Sequence, residues 1–186
     1  MVSSRSSNLI DVAIVGSSQG TMSLFQRHIG GILSGIARVQ CYDASQLDRV
    51  EADLYICSAH GEQLQIVKQA GKKPVLGVEL TLLPVAIRTL RSIPKSCTLG
   101  IVARHRQCAN CLFAEIVKAG ITEYKMLAGT FDEMSLMPVD RFVASEDKRR
   151  EIEEYGLRKE FIYIARSIAP NSAAEVINAA LELATK

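Results

Sequence analysis

Small hydroxyls, an amide, imidazoles and several cations recur in this sequence just past short apolar runs, where a parallel sheet presents its carboxyl ends to a ligand. Val12-Ala-Ile-Val15 is followed by Ser17, Ser18, Gln19 and Thr21; Asp53-Leu-Tyr-Ile-Cys57 by Ser58 and His60; Pro74-Val-Leu-Gly-Val78 by Glu79 and Thr81. In the second half, Cys97-Thr-Leu-Gly-Ile-Val-Ala103 leads to Arg104, His105 and Arg106, Arg141-Phe-Val-Ala144 to Ser145, and Phe161-Ile-Tyr-Ile164 to Arg166. Such a set suits recognition more than bond breaking. Small residues let backbone approach a ligand, hydroxyls and amides orient it, and arginines can hold a carboxylate or phosphate bidentately. Two cations at a helix start also oppose the helix dipole and so invite an anionic partner.

Other chemistries fit the spacing less well. Gly16-Ser-Ser-Gln-Gly-Thr21 lacks both the full Gly-x-Gly-x-x-Gly and the lysine of a P-loop, so a tight strand-to-helix turn accounts for it and no nucleotide cofactor is implied. Cys108-Ala-Asn-Cys111 opens a helix after a strand, the context of a thioredoxin-type pair. Cysteines three apart on one helical face also simply pack, which is the favoured reading. His28, His60 and His105 are scattered singly, without a second pair at ligand spacing, so no metal is expected.

The elements that must position these residues alternate, short apolar runs with helical periodicity, the pattern of right-handed β-α-β units and parallel sheets. Strands are expected at 12–15, 37–42, 53–57 and 74–78, with a helix carrying Met22, Phe25, Ile29 and Leu33. A second helix opens at Gly61 and closes at the left-handed cap Gly71, and a third starts at Pro84. The theme restarts after Arg91-Ser-Ile-Pro-Lys-Ser96. A strand at 97–103 precedes a helix from about Gln107 to Ala119, ended by Gly120, and Ile121 to Leu127 follows. Further strands are expected at 141–144 and 161–164, separated by a charged helix from Asp147 to Tyr155 whose Lys-Arg-Arg-Glu-Ile-Glu-Glu run reads as a solvated face. Ser172-Ala-Ala-Glu175 fits a capping box at the head of the last helix. The expectation is an α/β fold of two Rossmann-like lobes with mainly parallel sheets and a ligand crevice between them. Residues 1–8 form a flexible lead, 9–93 the first lobe, 94–96 a hinge and 97–186 the second lobe.

Composition narrows the function classes. The chain has 186 residues, 48% of them apolar and only 23% charged, which is globular and not disordered. Its formal net charge of +2 is scattered among interleaved acids and bases, so a nucleic-acid footprint is missing and DNA would be reached only through a separate domain. Val2-Ser-Ser-Arg-Ser-Ser-Asn8 has no signal-peptide core, and no run approaches the roughly 20 apolar residues of a membrane span. A cytoplasmic protein with five free thiols and no membrane partner is expected. Ile177, Ala180, Leu181 and Ala184 give the last helix an apolar stripe that would serve a homodimer or the core.

At the level of residues the chain resembles two groups. Glu79-Leu-Thr-Leu-Leu-Pro84, the Ile-Pro hinge, Thr98-Leu-Gly-Ile-Val102, Lys118-Ala-Gly-Ile121, Val143-Ala-Ser145 and the terminal helix look like the sensory domain of propionate-catabolism-type regulators and similar periplasmic-binding-protein-like effector domains. That resemblance covers nearly the whole chain. It implies a two-lobed cytoplasmic sensor that binds a small metabolite and signals to a module elsewhere. A second resemblance is to aspartate/glutamate racemases: Ile56-Cys-Ser-Ala-His60 looks like their first cysteine turn. A second cysteine motif is missing, because the comparable strand end reads Phe142-Val-Ala-Ser-Glu146. Two-base proton transfer needs an acid and a base on opposite faces of the substrate carbon. The residues therefore favour a small-molecule-binding effector domain over an enzyme, with a racemase-like activity on a small carboxylate as the alternative.

Overall fold

The computed structural model describes residues 9–60, 62–71, 74–157 and 159–185. The lead expected at 1–8 and the helix start expected at Gly61 lie outside them. Two four-stranded parallel sheets, each flanked by helices, make two Rossmann-like lobes. In the first lobe the elements are β1 (Ile10–Gly16), α1 (Gln19–Ile32), β2 (Ala37–Asp43), a 3₁₀ turn (Ala44–Arg49), β3 (Leu54–Ser58), α2 (Glu62–Gln69) and β4 (Val75–Val78), with strand order β2-β1-β3-β4. After the short β5 (Leu80–Leu82) and α3 (Pro84–Arg91), the second lobe runs β6 (Thr98–Ala103), α4 (Arg106–Lys118), β7 (Lys125–Thr130), a 3₁₀ turn (Met134–Leu136), β8 (Arg141–Ser145), a 3₁₀ turn (Glu146–Lys148), α5 (Arg149–Glu154) and β9 (Phe161–Ile164), with order β7-β6-β8-β9. A short β10 (Arg166–Ile168) pairs with β5, and α6 (Pro170–Ala184) ends the chain.

The central strands are apolar on both sides because helices cover both faces. Val12, Ala13, Ile14 and Val15 are all buried in β1, as are Leu99, Ile101, Val102 and Ala103 in β6. Which helices do the covering differs from the division expected at 94–96. By contacts, the chain to Glu79 and from Ile168 onward forms one compact unit and Leu80–Ser167 the other. The helix after each fourth strand thus serves the other repeat's sheet. Ala86 and Leu90 of α3, with Ile93 behind them, share a core with Leu99, Ile101, Leu112, Ile116 and Val143. The Tyr124 hydroxyl fastens the end of that helix, lying 2.8 Å from the carbonyl oxygens of both Leu90 and Ile93. In turn α6 packs beside α1, β1 and β4 of the first unit, with Val176 and Ala180 fully buried. A hinge read from Pro94 misses this, because a proline marks a turn and not the surface its neighbours bury.

The two sheets are built on one register. Val12 pairs with Leu54 and Leu99 with Arg141; Asp11 pairs with Arg38 and Thr98 with Lys125, every residue moved by 87 positions. The shift falls to 86 at the fourth strand, where Ser58 faces Val78 and Ser145 faces Ile164. The same carboxylate device starts both central strands. Asp53 accepts from the Asp11 amide at 2.7 Å and its own amide donates back to the Asp11 carbonyl; Asp140 and Thr98 repeat the exchange, again at 2.7 Å.

Several local expectations shift in the structure. Of the run Ile121 to Leu127 that follows Gly120, only the end belongs to a strand, Lys125–Thr130, since Ile121 and Tyr124 belong to the core and the Gly120 cap, at φ +78°, first turns the chain. There the Ile121 amide donates to the Ile116 carbonyl in a Schellman closure. The last helix begins at Pro170, two residues before the predicted capping serine. Ser172 is buried within the first turn, and its hydroxyl accepts from the Glu79 amide at 3.0 Å. The charged segment after Ser145 is only partly solvated. Arg149 with Glu146 and Arg150 with Glu154 form exposed pairs, but Lys148 is buried. Among the described residues no helix is long and apolar enough to cross a membrane.

Because Asp53 and Asp140 each bond the amide that starts a central strand, replacing either by alanine should cost about 1 kcal/mol. Urea unfolding of each variant, with an unchanged slope, is the check.

Candidate functional site

In each sheet the strand order reverses between the first and third strands of the lobe, so the loops after β1 and β3, and after β6 and β8, flank the switch point where ligands of open α/β sheets bind. The predicted residues do fall in or next to these loops, but the two lobes use them differently. In the first lobe Ser18 is the N-cap residue of α1, with Gln19 its first helical residue, Ser17 and Gln19 exposed and Thr21 half-buried. After β3, the Ser58 hydroxyl donates to the His60 carbonyl at 3.2 Å, and the Ala59 amide donates to the Val78 carbonyl at 3.0 Å. Gly77 permits that approach: a Cβ there would stand 3.0 Å from the Ala59 Cα. The imidazole Nε2 of His60 lies 3.9 Å from Glu79 Oε1, with about half of each side chain in solvent (54% and 40% exposed). Thr81 sits half-buried on β5.

The second lobe encloses its charges. Arg166 at the head of β10 is only 8% exposed and pairs with Glu115 of α4 at 3.1 Å and with Asp147 at 2.9 Å. Ser145, buried at the end of β8, donates to the same Asp147 carboxylate. The guanidinium Nε is buried with no hydrogen-bond partner among the described residues. Burial pushes the Asp147 carboxyl up, but the Arg166 charge, the Ser145 hydroxyl and Lys148 together outweigh it and hold the group below its ordinary range. Arg166 is therefore engaged internally, against two carboxylates, and does not offer its charge to an anion. No local pattern marks Glu115, which lies inside the helical run Leu112-Phe-Ala-Glu-Ile-Val117, and Asp147 reads as a solvated helix start.

The remaining cations divide. Arg106, the first residue of α4, bonds the Ala128 carbonyl and the Glu133 carboxylate, so it ties the helix to the end of β7. Glu133 also accepts from the Thr130 amide at 2.7 Å, and that bond together with the arginine holds its carboxyl below the usual range. Arg104 and the N-cap residue His105 are exposed. Among the strand-end cations predicted to hold an anion, Arg104 is thus the one that the structure leaves on the surface without an ion pair among the described residues.

The thiols are placed for packing. Cys57 is wholly buried in β3, and burial pushes its thiol up to about 11, against a smaller opposing pull from Lys68. A nucleophile or proton-transfer group must be a thiolate within reach of solvent, and Cys57 is neither. Cys111 is half-buried, and burial, then Cys108 and Glu115, raise its thiol as well. Cys108 is exposed one turn before it. Among the described residues no three His, Cys, Asp or Glu side chains gather as a metal-binding group.

No protein-family model, curated protein or solved structure matches this chain.

The buried triad makes a testable demand on stability. Replacing Arg166 by methionine leaves two carboxylates facing each other without their cation and should cost about 3–5 kcal/mol. Since the Asp147 carboxyl is depressed in the folded state, its contribution is present above the ordinary carboxylate range and is lost as pH falls through that range towards its folded value. Unfolding free energies measured from neutral pH downwards should show this acid limb in the wild-type chain and a shallower one in Asp147→Asn.

Proposed function

We propose that this chain is a small-molecule-sensing effector domain of a transcription regulator, binding a polar or anionic metabolite through the strand-end loops of its Rossmann-like lobes. The observation that carries this reading is the first lobe's switch point, where Ser17 and Ser18 follow β1 while Ser58 and His60 follow the adjacent β3. These are hydrogen-bonding groups on short loops held by buried strands, the arrangement that preorganises a ligand site. The exposed Arg104 supplies a cation for an anionic group.

A racemase-like enzyme is the second reading, on the strength of the Ile56-Cys-Ser-Ala-His60 turn. Its first requirement, an accessible low-pKa thiol, is opposed by the burial of Cys57. Cytoplasmic placement belongs to the sensor reading, as does contact with DNA through a module outside this chain. A thermal-shift panel of organic acids, amino acids and sugar phosphates tests the proposal. A ligand that binds only the folded state adds about 2.7 kcal/mol at a hundredfold excess over Kd, so at least one class should raise Tm by several degrees. For an anionic hit, Arg104→Ala should reduce the shift without lowering the Tm of the free protein. A panel with no stabiliser would overturn the reading.

A sensor without a DNA-reading surface transmits occupancy through association, and a homodimer is part of the proposal. The exposed Leu181 of α6, beside the buried Ala180, is the contact offered. Sedimentation across a concentration series should show a dimer for the wild-type chain and a monomer for a folded Leu181→Glu variant.

A further inference from the structure

Cys108-Ala-Asn-Cys111 lies where packing does not account for it. Helices α1 and α4 start 87 positions apart, at Gln19 and Arg106, so their residues correspond one to one. Phe25 and Leu112 are buried at one corresponding position, and Ile29 and Ile116 at another. Beside them Leu24 is 4% exposed, whereas its counterpart Cys111 is only half-buried, and Cys108, which stands where α1 has Thr21, is exposed. Cysteine is among the most buried residue types, and a thiol in solvent adds nothing to a core.

The two thiols are within reach of each other. Three positions apart on an α-helix, their Cα atoms lie about 5 Å apart, inside the range of roughly 4.4–6.8 Å that a disulfide spans. Their Cβ atoms, about 5–6 Å apart in a regular helix, must close to roughly 4 Å. Helix α4 is able to yield at this end. Cys108 is its third residue, in the turn whose amides have no acceptor inside the helix, and His105 at the N-cap contributes no side-chain bond. Exposure sets the order of reaction. Cys108 faces solvent, while burial, then Cys108 and Glu115, raise the Cys111 thiol. Cys108 is thus the group that an external disulfide meets, and Cys111 the one that attacks a sulfur already held beside it.

We propose that Cys108 and Cys111 are a redox modification site, closing to a reversible intramolecular disulfide by exchange with a low-molecular-weight disulfide. With glutathione disulfide as the oxidant, the Cys108 thiolate attacks one sulfur, the glutathione S–S bond breaks and one glutathione leaves. Cys111, giving up its proton to solvent, attacks the Cys108 sulfur of the mixed disulfide and displaces the second glutathione. The two protein thiols are oxidised, one glutathione disulfide is reduced, and two protons are taken up by the two glutathione thiolates released. In a reducing compartment such a bond is transient, as sensing requires. The proposal goes beyond the metabolite-sensor reading and does not depend on it.

The test exposes the full chain to glutathione buffers of increasing oxidised fraction, traps free thiols with N-ethylmaleimide and maps tryptic peptides by mass spectrometry, with circular dichroism verifying that the chain stays folded. The peptide Gln107–Lys118 holds both cysteines and should become refractory to N-ethylmaleimide through an internal bond, while Cys57 stays a thiol and dithiothreitol reverses the change. Cys111→Ser should retain a glutathione on Cys108, and in Cys108→Ser the loss of the free Cys111 thiol should slow at least tenfold. A pair that stays reduced in the most oxidising buffer, a lasting glutathione adduct on Cys108 of the wild-type chain, or a bond from either residue to another cysteine would overturn the proposal. So would oxidation of Cys111 at an undiminished rate in a folded Cys108→Ser variant.

Discussion

A parallel sheet buried on both faces must be covered by helices on both faces, and every other feature of this chain follows from how that cover is supplied. Each half of the sequence makes a four-stranded sheet, and α1 with α2, or α4 with α5, follow its own strands. The remaining cover is exchanged. Helix α3 adds Ala86 and Leu90 to the core around Ile101 and Leu112, and α6 adds Val176 and Ala180 to the unit of β1. The chain thus crosses between its units twice, after Glu79 and after Ser167, and both crossings occur at the carboxyl ends of the fourth strands. The segments that link the units are consequently neighbours of the strand-end loops.

That coincidence explains the charged groups found there. Arg166 opens β10, right at the second crossing, and is held by Glu115 from α4 and Asp147 from the turn after β8. Desolvating three charges is expensive, and the attraction among them offsets that cost only with good geometry and further hydrogen bonds, such as the one Ser145 gives to Asp147. Such a cluster specifies position more than it adds stability. At the first crossing a neutral bond is present, the Ser172 hydroxyl accepting from the Glu79 amide, with the Glu79 carboxylate 3.9 Å from the His60 imidazole. The two halves differ in charge at these positions while their backbone ladders share one register.

A binding function is consistent with this distribution. The thiol that a racemase-like reading would employ, Cys57, is part of the apolar interior of β3 and is held protonated by burial. The polar groups that remain accessible are those that make hydrogen bonds and ion pairs, on loops supported by close contacts such as that between Gly77 and Ala59.

The alternation of apolar strands and amphipathic helices was legible in the sequence, because buried parallel strands must be continuously apolar and their turns need small or capping residues; β1, β3, β6, β8 and the Gly71 and Gly120 caps all lie where that pattern puts them. The strand-end position of Ser17, Ser58, His60, Arg104 and Ser145 was legible for the same reason. What the tertiary structure alone decided was partnership. Nothing local in Leu112-Phe-Ala-Glu-Ile-Val117 reveals that Glu115 is drawn inward to Arg166, 51 residues away, or that Asp147 belongs beside it and not to a solvated face. Nothing in Pro84 or Pro170 reveals that the helices they begin cover different units. Periodicity reports which side of an element is apolar, but which distant surface covers it, and which buried charges meet there, depends on contacts that form only when the whole chain has folded.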